Sequence, residues 1–440
     1  MYYFIGIKGT GMSALAVILK QLGYEVSGSD LDKHFFTESE LIKNNIPFFS
    51  YDEKNILDDY IIIKGASIRE DNVELKRARS LNLKIYEYNE MVGELTKRYK
   101  TICIAGCHGK TTTTNMMALA FSSKGINYLI GDGTGCGDSK NTYFALESCE
   151  YQRHFLAYHP RIAVILNIDL DHVDYYRDID DVIDAYTSYA NLATDVAVLY
   201  GDDPYTRKMK LKVPAIYFGL AEGNDVRAIN VSYSKDGVSF DIEGYGHFDL
   251  PLFGQHQLLD ALAVITVSMH EGLSYDEVFH NLKQFHGAKR RFSESFVGNN
   301  VIIDDYAHHP NEVKATIDAV LQKYPDKKLI IIFQPHTFSR TKEFYRDLAN
   351  VFKRAYASYV LPIHPAREKQ EDYEGVTSRL ITDIVDHSYL ITVNDAKILA
   401  SYDNAVFTFM SPNDISGLEN DLKKYLMEKE GEVHDEVCRK

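Results

Sequence analysis

The sequence predicts an α/β protein of three domains, each built on a mainly parallel sheet with flanking helices. Three observations carry that expectation. Its 440 residues exceed what one hydrophobic core serves. Short apolar runs alternate with helical stretches, the pattern of parallel strands joined by crossover helices. The alternation also restarts twice, giving expected domains of 1–97, 98–291 and 292–440.

In the first block YYFIGI, YEVSGSD and DYIIIKG read as strands and SALAVILKQLG as a helix. The second opens on the strand TICIAG and the helix TTTNMMALAFSSKG. It continues with strands in HFLAYHPRIAVILNI and VAVLY, and with a β excursion at GHFDLPLFG. The third alternates VIIDDY, NEVKATIDAVLQKY, KLIIIFQP, KEFYRDLANVFKR and SYVLPI, with Pro310 at a helix start. The charged tail KKYLMEKEGEVHDEVCRK reads as a helix that frays, with Cys438 a surface thiol.

Composition narrows the function. Net charge is −15 with acids and bases interspersed, so no nucleic-acid partner is expected. No apolar run approaches the ~18 residues of a membrane span, and MYYFIGIKGTG lacks the basic start of a signal peptide. The five cysteines, without a C-x-x-C pair, suit reduced thiols in the cytoplasm.

Two glycine-rich turns carry the chemistry. IGIKGTGMSALA places Gly9, Gly11 and Ala14 in a G-x-G-x-x-[G/A] pattern between a strand and a helix, with Asp30 ending the next strand. That geometry brings backbone amides to a diphosphate, of NAD or of any other nucleotide diphosphate. CIAGCHGKTTTT places Gly106 and Gly109 before Lys110 and Thr111. Lys110 is a point charge for β- and γ-phosphates and Thr111 a hydroxyl for Mg²⁺. Threonine is a mediocre helix former, so four in a row argue for function rather than helix building. Two phosphate turns in one chain imply two phosphate-bearing ligands, which a plain dehydrogenase would not need. Glu147 and His172 follow apolar runs at strand ends, where a sparse Mg²⁺ shell could form. KRRF, DDYAHHP and QPHTFSR cluster Arg291, Asp305, Tyr306, His308, His336 and Arg340 beyond two strands, a setting for a carboxylate-bearing substrate.

With these motifs in this order, the chain resembles the Mur ligase family of peptidoglycan synthesis, and its alanine-adding branch in particular. The likeness runs over essentially the whole chain. It implies a Rossmann-like first domain for the UDP-sugar, a P-loop ATPase-type centre and a Rossmann-like third domain for the amino acid. The implied reaction joins L-alanine to UDP-N-acetylmuramate at the expense of ATP with Mg²⁺, through an acyl phosphate, with no membrane partner. Carried over by position, Gly9, Thr10, Gly11, Met12, Ser13 and Asp30 serve the UDP-sugar. Gly106, Cys107, His108, Gly109, Lys110, Thr111 and Thr112 hold the ATP phosphates. Thr111, Glu147 and His172 take the metal, and Arg291 and Asp305 contact the nucleotide. Tyr306, His308 and Arg340 shape the amino-acid site, and His336 faces the muramate end. Lys110, Glu147, His172 and Arg340 are the catalytic set.

The chain departs from the family pattern at Lys8, which replaces a glycine and could add a diphosphate contact. In GQHQLLDALA, Gln257 and Asp260 stand where two asparagines are usual. YTSYANLAT lacks the modified lysine of several members, as the alanine-adding branch does.

Overall fold

The computed structural model describes residues 1–438 apart from 173 and 174, with side chains as far as 429. The chain forms two compact units. One comprises Met1–Val231, Ser239–Leu250 and Gln257–Phe285; the other comprises Ser232–Val238, Pro251–His256 and His286–Lys440.

The first unit begins with a five-stranded parallel sheet in the order Phe48–Ser50, Val26–Asp30, Tyr2–Ile5, Ile61–Lys64, Lys84–Glu87. Strand order reverses about Tyr2–Ile5, so the crevice beyond its carboxyl end is a topological switch point. The glycine turn lies there and runs into the helix Thr10–Gln21. That helix stops at Gly23, whose φ of 92° a side chain would resist.

Most of a ten-stranded sheet follows in the same unit. Its parallel centre runs Val196–Tyr200, Ile162–Ile165, Lys100–Ala105, Tyr143–Glu147, Ile126–Leu129. Strand order reverses at Lys100–Ala105, and the Gly106–Gly109 loop leaves its carboxyl end. Both sheets share one apolar core that includes Leu15, Ile18, Met91, Leu129, Phe144 and Tyr186. Of HFLAYHPRIAVILNI only Ile162–Ile165 is a strand. Tyr151–Ala157 is a tight helical turn, with Gln152 and Arg153 in the left-handed region at φ 51° and 58°.

The second unit carries a six-stranded sheet: Ser293–Val297, Asn300–Asp305, Ala405–Met410, Lys328–Phe333, Ala357–Val360, Ser388–Leu390. Only the pairing of Ser293–Val297 with Asn300–Asp305 is antiparallel. Pro310 is the first residue of the helix Pro310–Lys323, and His309 and Glu312 close a capping box around its start. The last helix runs Ser416–Cys438; the side chain of Cys438 lies outside the described residues.

The first sheet is tied together at the buried side chain of Glu74. The Glu74 carboxylate, fully buried, accepts from the Tyr3 hydroxyl at 3.1 Å, the Asp52 amide at 3.2 Å and Asn55 Nδ2 at 2.8 Å, and from the Ser29 hydroxyl. Leucine there would strand four donors. Glu74→Leu is expected to cost about 3 kcal/mol, read from urea unfolding of the full chain. A loss below about 1 kcal/mol would mean that the donors find other partners.

Candidate active site

Around the first turn, Asp30 does not face outward. Its carboxylate accepts from the Lys8 and Leu31 amides, both at 2.8 Å, and so closes the turn. Nor is Lys8 available to a diphosphate. Its ammonium is buried in an ion pair with Glu38 at 2.8 Å and donates to the Leu31 and Lys33 carbonyls. Met12 and Ser13 are buried, and Ser13 Oγ donates to Thr10 O at 3.0 Å. These two residues can reach a ligand only through their backbone. What the turn offers is the helix start at Gly9, Thr10 and Gly11. A Cβ on Gly11 would lie 2.6 Å from the Tyr88 hydroxyl, so a larger residue there would have to displace that ring. Tyr88, unremarked in the sequence, therefore lies against this turn. Burial raises its phenol, with Glu147 nearby adding to the effect.

The second turn is locked from two sides. Asn167 accepts from the His108 amide and donates to the His108 carbonyl, each at 2.9 Å. The Cys107 thiol donates to Asp169 O at 3.2 Å and accepts from Asp169 N–H at 3.1 Å, and burial pushes it far above the usual thiol range. Gly109 takes a φ of 87°, and a Cβ on it would lie 2.4 Å from Asp260 Oδ1. Asp260, one of the two departures within GQHQLLDALA, thus packs against this loop.

Lys110 opens the helix Lys110–Ala120. Its ammonium reaches the Gly106 carbonyl and lies 3.0 Å from Glu150 Oε2. Burial works against the charge, but Glu150 outweighs it and the ammonium is held above its ordinary range. The other oxygen of Glu150 lies 3.1 Å from His172 Nε2. Burial alone would raise the Glu150 carboxyl; Lys110 and His172 more than reverse that, leaving it ionised. His172, with φ 51°, is likewise depressed by burial and raised on balance by Glu150 and Asp171. The acid between Lys110 and His172 is therefore Glu150, which the sequence reading did not name. Glu147 ends its strand, as expected, with its carboxylate accepting from the Gly131 amide. Thr111 and Thr112 are buried at the loop, but Thr113 and Thr114 face the core, and Thr114 Oγ1 bonds back to Lys110 O at 2.8 Å. Half of the threonine run is helix packing, contrary to expectation: Thr113 and Thr114 are fully buried beneath the loop, and Thr114 satisfies its hydroxyl on the preceding turn.

The second unit brings the third cluster together at strand ends. The Arg291 guanidinium sits 4.7 Å from the Tyr306 ring centre. Tyr306 packs edge-on against His308, and His308 against His336. Arg340 Nη1 lies 3.5 Å from His336 Nδ1. Burial, with His308 and Arg340 close by, pushes His336 down to about 4, so it is neutral at pH 7. Asp305 is turned inward. It is buried, accepting from the Phe292 and Ala307 amides at 2.8 Å each, and burial raises it to about 6. Its visible work is to hold the chain around Arg291 and Tyr306. Sequence reading also missed His364, whose ring stacks on His336 at 5.6 Å.

The sequence matches three successive parts of one family: the Mur ligase catalytic domain over residues 1–100, the middle domain over 104–268 and the glutamate ligase domain over 290–413. The chain belongs to the Mur ligase family. Its similar relatives include the UDP-N-acetylmuramate–L-alanine ligase of Lacticaseibacillus casei strain BL23. That protein is 45% identical over 434 residues, spanning 97% of this chain and 99% of the relative. The enzyme of that name from Lactiplantibacillus plantarum is 42% identical over 426 residues, 95% of this chain and 97% of the relative. Among solved structures, the UDP-N-acetylmuramate-alanine ligase of Thermotoga maritima superposes with a TM-score of 0.81 at 24% identity. The match covers 96% of this chain and 98% of that one. A murein peptide ligase from Psychrobacter arcticus gives 0.69 at 20% identity, over 97% and 98%. Both share the fold of this Mur ligase.

The ligand types beside this loop are ones that Mg²⁺ takes. Thr111, Glu147 and Glu150 offer hard oxygens and His172 an imidazole, beside a lysine and a helix start.

Proposed function

We propose that the chain joins L-alanine to UDP-N-acetylmuramate at the expense of ATP. The observation that carries this reading is its near-full-length likeness to relatives named for that reaction. On this reading the domains are 1–97, 98–291 and 292–440, for the UDP-sugar, ATP and the amino acid.

The helix start at Gly9–Gly11 receives the UDP diphosphate. The amides of Gly106–Thr112 and the Lys110 ammonium receive the ATP phosphates, Lys110 exchanging Glu150 for a phosphate oxygen. Thr111, Glu147 and His172 hold Mg²⁺, with Glu150 fixing His172. Bound Mg²⁺ neutralises charge on the phosphate oxygens. A lactyl carboxylate oxygen bonds to the γ-phosphorus as the bond to ADP breaks. The alanine nitrogen then bonds to the acyl carbon, giving up a proton, and phosphate leaves. No side chain need act as a nucleophile; the chain supplies charge and position. Arg340 takes the alanine carboxylate in its fork. Arg291 and Tyr306, braced by Asp305, line the nucleotide and amino-acid sides.

ADP release, followed with each amine in turn, tests the reading. Release that requires both UDP-N-acetylmuramate and L-alanine is expected. Release with a tripeptide in place of alanine would instead mark a ligase that recycles peptides. The metal assignment has its own test: Glu147→Ala and His172→Ala should each raise the Mg²⁺ concentration for half-maximal rate steeply, by about tenfold or more. An unchanged titration in either would remove that residue from the metal.

A further inference from the structure

Thr337 carries a φ of 66°, which a β-branched residue avoids. It separates His336 from the helix Phe338–Phe352, in whose first turn Arg340 lies. Such a conformation persists where neighbours over-determine the backbone. Here the neighbours come from the loop after Ala357–Val360. The Thr337 amide donates to the His364 carbonyl at 2.8 Å and the His364 amide to the Pro335 carbonyl at 2.9 Å. His336 and His364 thereby form a short parallel bridge. Beyond it, Glu368 turns its carboxylate onto the helix start. Oε2 accepts from the Phe338 amide at 2.5 Å and the Ser339 amide at 3.1 Å. The Ser339 hydroxyl donates to Oε1, and the Tyr373 hydroxyl reaches the same oxygen at 3.4 Å.

First-turn amides have no partner within a helix, and a negative charge there also complements the helix dipole. The helix's own cap is the weaker brace, since the Thr337 hydroxyl accepts from the Arg340 amide at a long 3.4 Å. Glu368 thus grips the two residues immediately before Arg340.

We propose that Glu368 is a positioning residue for the amino-acid site. It fixes the first turn of Phe338–Phe352 and through it the aim of the Arg340 guanidinium, so that a short amino acid with a free carboxylate is selected. The proposal rests on the reading that Arg340 holds that carboxylate. In this role Glu368 acts on the helix start, through two amides and the Ser339 hydroxyl. A displacement of about an ångström in a positioning group is enough to lower a rate markedly.

The test uses the full chain with Glu368→Ala and Glu368→Gln, measuring KM for L-alanine, ATP and UDP-N-acetylmuramate alongside the melting temperature. In Glu368→Ala the KM for L-alanine should rise about fivefold while the other two stay within about twofold. Glu368→Gln keeps an oxygen acceptor for the amides and should lie nearer the wild type. An unchanged alanine KM in a folded Glu368→Ala overturns the proposal. An equal rise in all three KM values overturns it too, because Glu368 would then serve the unit as a whole. If wild-type turnover required an amine other than L-alanine, the proposed reaction would fall. Glu368→Ala would then have to raise the KM for that amine, or this proposal falls with it.

Discussion

Lys110→Ala should reduce turnover by more than about a thousandfold, a loss of about 4 kcal/mol of transition-state stabilisation. The reason is charge: the ammonium is the cation placed at the mouth of the phosphate loop, and alanine leaves nothing in its place. The variant should also melt earlier, since Glu150 would lose its ion pair with Lys110 while its carboxylate stays buried beside His172. These two effects can be separated. Lys110→Met combined with Glu150→Gln removes both charges and should recover much of the melting temperature without recovering turnover. Near-normal ADP release from Lys110→Ala would sink the phosphate-loop assignment.

Arg340→Lys should raise the KM for L-alanine at least about tenfold, because lysine keeps the charge but loses the planar fork that holds a carboxylate at two points. The KM for ATP should hardly move, since Lys110 and its loop belong to the other compact unit. Steady-state kinetics with each substrate varied decides it. If ATP affinity fell as far as alanine affinity, Arg340 would be serving the nucleotide, and the amino-acid site would lie elsewhere.

The phosphate turns were legible in the sequence because they are local: glycine spacing, an apolar strand before and a helix after are all contained in a dozen residues. Strand ends were legible for the same reason, which is how Glu147 and Tyr306 could be named; His172 lies seven residues past the end of its strand, Ile162–Ile165. Glu150 was not, because its place depends on the left-handed backbone of Gln152 and Arg153 just beyond it, and nothing in CEYQRH announces that bend. Glu368 meets Phe338 across thirty residues of chain, a register that only the folded sheet sets. Buried polar side chains also carry scaffold bonds that the sequence did not announce: Asp30 and Asp305 accept from backbone amides, Lys8 pairs with Glu38, and Thr114 bonds back to Lys110 O.

The clasp between Asn167 and His108 bears on how sequences of this kind can drift. Asn167 grips the main chain of residue 108 by both its amide and its carbonyl, leaving the identity of the side chain at 108 out of that contract. A change at 108 would therefore leave that clasp intact and give up only what its own side chain touches, such as the Asp169 carboxylate at 3.6 Å. A change at 167 would break it: aspartate would lose the donor and set a charge against a carbonyl oxygen, and leucine would lose both bonds. Mutational tolerance should thus differ sharply between two residues that touch, with the stricter limit on the one that lies outside the glycine-lysine signature.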